Sequence, residues 1–147
     1  MSLLFRIVAV LQIAGGFYGF ATLLLRLLAG GHGGIGLLML VIGLLMSVFA
    51  LVAGVMLIEG AAMGVTLSRI VQGLQIPVIG TSWLSYAWHT GAAAPLTVIF
   101  GRRVTADIDW SVPSQAWRLA TGGHSTTVLG INLLALACWL LLRFARR

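Results

Sequence analysis

The sequence predicts a membrane α+β protein with three transmembrane helices, an interfacial amphipathic helix and a small antiparallel strand-rich segment outside the bilayer. Three observations carry this reading. Of 147 residues, 60% are hydrophobic and 8% charged, whereas soluble domains are about a quarter charged. Two stretches, Leu3–Leu28 and Ile35–Ile58, exceed the roughly 20 residues a helix needs to cross the hydrocarbon core. From Ile76 the apolar pattern changes from helical to period two, which marks strands with one wet face.

These shifts divide the chain. Residues 1–60 read as a two-helix transmembrane hairpin, 61–77 as the interfacial helix, 78–123 as the strand-rich extramembrane segment, and 124–147 as a third span with a basic tail.

In the first span Arg6 and Arg26 lie near enough to the ends to snorkel to headgroups. Its Gly15 and Gly19 form a small-xxx-small pair that lets another helix approach closely, and the segment reads as a retained anchor. Ala29–Gly36 is too rich in glycine for a helix interior and reads as a turn. The second span has no charge from Ile35 to Ile58, and Ala50 with Gly54 repeats the small-residue spacing.

A straight helix from Ile35 to Gln75 would be about 60 Å long, twice the hydrocarbon thickness, so a break is expected after Glu59. Beyond it Met63, Leu67, Ile70, Val71 and Leu74 recur at helical spacing, with Thr66, Arg69, Gln72 and Gln75 mostly opposite. This face is expected to meet lipid, the protein's own helices or a partner, with Arg69 toward the headgroups.

Pro77 ends that helix. Leu84, Tyr86 and Trp88 alternate with small or polar residues, as do Val104, Ala106, Ile108 and Trp110, and Gly101–Arg103 supplies a tight connection, so a hairpin is expected over Leu96–Trp110. Gln115–Thr121 fits a strand or a short helix. Trp83, Trp88, Trp110 and Trp117 suit an interfacial belt or a small aromatic core equally. Thr126–Phe144 reads as the third span. Its Asn132 needs an interhelical partner, worth about 1 kcal/mol. Arg143, Arg146 and Arg147 after it point to a cytoplasmic C-terminus, which with three spans puts the N-terminus and the strands on the other side.

All nine basic residues are arginine, against three acids, which suggests a GC-rich bacterial genome and a bacterial cytoplasmic (inner) membrane. The arginines are scattered rather than clustered in a stripe, so nucleic acid is not an expected partner. Membrane lipids and other membrane proteins, or further copies of the chain, are. A lone Cys138 excludes an intrachain disulfide, and no cofactor or metal is expected.

Several residues invite chemistry. Glu59 is an acid at a span's end, either a proton or cation site or a headgroup-level carboxylate paired with Arg69. His32, His89 and His124 are potential ligands, although three spans would part His32 from the other two. Asp107 and Asp109 share a strand face, but the arginine turn of the same hairpin explains them as a solvated pair. Ser85, His89 and Asp107 lack a nucleophile-elbow context. The expectation is therefore an accessory or scaffold subunit that packs on other membrane proteins, with no catalysis of its own. The alternative is an oligomeric channel or transporter with a polar path near Glu59 and Asn132, and an enzyme using His89, His124 and the aspartates ranks third.

Overall fold

The computed structural model describes residues 3–121 and 126–144. It has four helices and one antiparallel six-stranded sheet: α1 (Leu3–Ala29), α2 (Gly34–Ile58), α3 (Ala62–Gln75), β1 (Pro77–Gly80), β2 (Leu84–Ala93), β3 (Pro95–Phe100), β4 (Val104–Ile108), β5 (Ser111–Thr121), β6 (Thr127–Asn132) and α4 (Leu133–Phe144). The class is α+β, and α1 and α2 are long and apolar enough to cross a membrane.

α1 and α2 form a close hairpin because small residues face each other. A Cβ on Gly16 would meet Leu51 N at 2.7 Å, and one on Gly54 would meet the Ala9 carbonyl oxygen at 2.9 Å. α2 ends in a Schellman arrangement: Gly60 has φ +74, Gly60 N–H donates to Leu57 O at 3.2 Å, and Ala61 N–H donates to Met56 O at 3.0 Å. The turn reverses the chain, and Gly64 then lets α3 lie against the backbone of Met56 and Leu57. The break expected after Glu59 is present, and Gly64 is a close-packing position.

The sheet order is β4-β3-β6-β1-β2-β5. The expected hairpin is β3–β4, with Leu96 opposite Ile108 and Phe100 opposite Val104. The residues from Gln115 belong to a strand, β5, paired along β2.

The stretch Thr126–Phe144 differs from the expected third span. Its first part is β6, hydrogen-bonded between β1 and β3, and only the 12 residues of α4 are helical, about 18 Å at 1.5 Å per residue. Apolarity alone does not distinguish a strand paired along both edges from a helix. Two helices among the described residues, not three, are long enough to cross a bilayer. Leu142 near the end of α4 clusters with Phe5, Val8 and Leu57, so the end of α4 lies beside the start of α1.

Nor is the strand region a separate module bounded at 78 and 123, because β1 begins at Pro77 and β6 joins from the far side. The sheet lies directly on the helices: a Cβ on Gly15 would collide with the backbone of Thr90 and Gly91. Trp88, 1% exposed, packs among Ala50, Ala53 and Val71, whereas Trp83 and Trp110 are exposed. The tryptophans thus serve both the core and the surface.

Polar groups fill the interior. Ser68 Oγ donates to Gln12 Oε1 at 2.8 Å and lies 3.2 Å from Ala53 O, and Gln12 Nε2 donates to Ser68 O at 3.4 Å. Gln75 accepts from Thr90 N–H at 3.0 Å and donates to Thr90 Oγ1 at 3.2 Å, which ties α3 to β2. The outer face of α2, by contrast, carries exposed Leu37, Leu38, Leu45 and Val52.

Candidate functional site

Directly opposed residues of antiparallel strands share a face, so the register defines two faces of the sheet. One contains Trp88 and Trp117 and continues through Ile79, Leu129, Val98 and Ala106 to β4. The helices cover its β2–β5 end, where Trp117 Nε1 donates to Met39 O at 2.7 Å and its ring fills the space beside Gly43. The β6–β3–β4 end is left open. Phe100, Leu129 and Ile131 are exposed there, Val104 and Ile108 are 67% and 66% exposed, and a shallow apolar groove of about 270 Å³ runs between β3 and β6. β4 is the edge of the sheet and is exposed at all five positions.

The opposite face is polar and concave. The chain runs from β2 to β3 through Ala94 alone, although β1 and β6 lie between them in the sheet. Three inter-strand steps would span about 14 Å in a flat sheet, and two residues reach about 7 Å, so the sheet folds over at this corner. Asn132 pins it. Its Oδ1 accepts from Ala94 N–H at 3.1 Å and from Ala135 N–H at 3.4 Å, capping α4. Its own N–H donates to Ile76 O at 2.8 Å.

Within the crook a cavity of about 580 Å³ is lined by Ala87, His89, Pro95, Asp109, Trp117, Arg118 and, from the end of α1, Arg26. Burial pushes the His89 pKa down, and the Asp109 carboxylate opposes that shift; the imidazole is therefore neutral near pH 7. Arg26 and Arg118 also line a second, adjoining groove of about 240 Å³ with Leu23, Met39, Leu40 and Leu119.

The residues singled out from the sequence fall as follows. Gly15 and Gly19 are buried on α1, and Gly15 meets a strand, not the helix expected from its spacing. Ala50 and Gly54 are buried on α2. Asn132 sits at a strand–helix junction and not between two spans. The stripe on α3 divides: Val71 is fully buried and Leu67 packs beside it, while Met63, Ile70 and Leu74 are exposed. Gln72 and Gln75, expected on the outer face, are buried, because α3 presents Gly64, Ser68, Gln72 and Gln75 to α1, α2 and β2.

Arg69 lines a groove of about 340 Å³ between α3 and Trp139 of α4, and its Nε is buried without a hydrogen-bond partner. Glu59 is exposed at the end of α2. It lies at the opposite end of α3 from Asn132, about 20 Å away along the helix, so the two do not line one path within a chain. Ser85 and His89 are four residues apart on one strand, about 13 Å, which leaves them outside hydrogen-bond reach. His124, Arg146 and Arg147 lie outside the described residues, and among those described no group of three or more His, Cys, Asp or Glu is placed to hold a metal.

The cavity escaped sequence reading because His89, Asp109, Arg118 and Arg26 come from β2, the end of β4, β5 and α1. Only the strand order brings them together. No protein-family model matches the chain, and no curated protein or solved structure does either.

Proposed function

We propose that this protein is a small multi-pass integral membrane accessory subunit, without catalysis of its own, that docks on another membrane protein through the open half of its sheet. One observation carries the reading: an apolar face that runs unbroken across six strands is covered by helices at one end and bare at the other. Its bare end finishes in an unpaired edge strand. Acyl chains can cover Val104 and Ile108, but they offer nothing to the backbone N–H and C=O groups along the β4 edge. A polypeptide strand satisfies both.

The polarity of the whole chain supports the membrane setting. Gln12, Ser47, Ser68 and Gln75 are buried while rows of leucine and valine face outward, an arrangement suited to an apolar solvent. The hydrogen-bonded pairs Gln12–Ser68 and Gln75–Thr90 favour a packed core over a polar conduit. Arg6 and Arg143 lie at the same end of the bundle, which suits that end in the cytoplasm of a bacterium.

Photo-crosslinking residues placed at Val104 and Ile108 test the reading in native membranes. A protein adduct of the same identity at both positions is expected, absent when the other position carries aspartate (Val104→Asp, Ile108→Asp). Adducts with lipid alone would overturn the proposal.

A further inference from the structure

We infer that the crook of the sheet and the groove beside it form one binding site for an anionic amphiphile, a phosphate-bearing head held between Arg26 and Arg118 with its acyl chain laid along Leu23, Met39 and Leu40. The polar compartment lies on the opposite face of the sheet from the docking surface, and the groove lies at the helix-covered β5 end, away from the open β6–β3–β4 half, so the two proposals fail separately.

Three features of the geometry lead to this ligand class. The first is charge. The walls of the larger cavity carry two guanidinium groups and one carboxylate, Asp109. Guanidinium groups present planar, paired donors that match phosphate or carboxylate oxygens, and two of them from separate elements converge on the same space. Two guanidinium groups against one carboxylate favour an anionic head over a neutral or cationic one.

The second is continuity. Arg26, Trp117 and Arg118 line both the polar cavity and the smaller groove. The groove's remaining walls are mainly Leu23, Met39, Leu40 and Leu119 from α1, α2 and β5. Polar cavity and apolar groove thus meet at the two arginines, where the head of an amphiphile joins its tail. A free anion would fill the first compartment and leave the second empty.

The third is preorganisation. Trp117 is held by its hydrogen bond to Met39 O, which fixes the wall shared by both compartments. The end of α1 is held by His32, whose ring N–H donates to the Arg26 carbonyl oxygen at 2.8 Å. The two arginines are therefore carried on anchored backbone, which lowers the ordering cost of binding.

The test uses the full chain in detergent micelles, titrated with phosphatidylglycerol, phosphatidylcholine and inorganic phosphate and read by native mass spectrometry. Phosphatidylglycerol is expected to bind at least tenfold more tightly than phosphatidylcholine. The double variant Arg26→Gln, Arg118→Gln is expected to remove that preference, while Arg102→Gln, Arg103→Gln, in the exposed β3–β4 turn, keeps it. Met39→Gln is expected to weaken phosphatidylglycerol and leave phosphate unchanged. Circular dichroism and a thermal melt confirm that each variant is folded.

Equal affinity for the two lipids, or a folded double variant that retains the preference, would overturn the site. Phosphate binding as tightly as phosphatidylglycerol, with no effect of Met39→Gln, would overturn the amphiphile in favour of a free anion.

Discussion

At the scale of single residues, this protein depends on what is missing as much as on what is present. Gly15 lies where α1 meets the backbone of Thr90 and Gly91, with no room for a methyl group, and Gly91 itself has φ +87 at a register shift in β2. Backbone cannot move aside as a side chain can. Gly15→Ala is therefore expected to destabilise the protein by about 1–3 kcal/mol, the usual range for overpacking, and a thermal melt in detergent followed by tryptophan fluorescence measures it. Gly34→Ala, in the first turn of α2, is the control, because a Cβ there meets nothing within 4 Å, and in a helix it should cost no stability. Equal melting temperatures for the two variants would show that the α1–β2 contact is not tight. The small-xxx-small spacing of Gly15 and Gly19 marked a close approach but could not name the element that makes it.

At the scale of elements, the sequence was most legible where period and breaker agreed. α2, the break after Glu59, α3 and the β3–β4 hairpin each carried a sustained pattern bounded by glycine or proline. It was least legible where apolarity lacked a period, as in Thr126–Asn132, which pairs with both β1 and β3. The signal for that boundary was Asn132, a residue type favoured at helix N-caps. On α3 the apolar stripe reveals the helix but only part of its buried face, because Ser68, Gln72 and Gln75 pack inward beside Val71. Asn132→Ala removes both the α4 cap and the acceptor for Ala94 N–H, and should cost about 1–3 kcal/mol. Asn132→Ser keeps a neutral oxygen acceptor at the helix N-terminus, where serine is a favoured cap, and puts no charge at a position only 1% exposed. The amide nitrogen it removes has no hydrogen-bond partner, so its loss should be the smaller of the two in the same melt. The reverse order would show that the junction is not held by Oδ1.

At the scale of the whole molecule, the two-helix hairpin and the folded sheet together decide where the start of α1 and the end of α4 lie. α1 and α2 run antiparallel, and α3 turns back on α2 at Gly60. α4 starts beside the end of α3, where Asn132 N–H meets Ile76 O, and returns along it to bring Leu142 against Phe5 and Val8. If α1 and α2 cross a bilayer, Leu4 and Phe144 face the same compartment, and His32, in the turn between α1 and α2, faces the other. A third full span would place Leu4 and Phe144 on opposite sides. After Cys138→Ala removes the native thiol, Leu4→Cys and Phe144→Cys should both react with a membrane-impermeant maleimide in inverted vesicles and be protected in spheroplasts, with His32→Cys showing the opposite pattern. Labelling of Leu4→Cys and Phe144→Cys from different sides would restore the three-span reading and dismantle the packing of α4 against the start of α1. Because that packing also sets the path of β6 into the sheet, the same result would remove the bare apolar face on which the docking proposal rests.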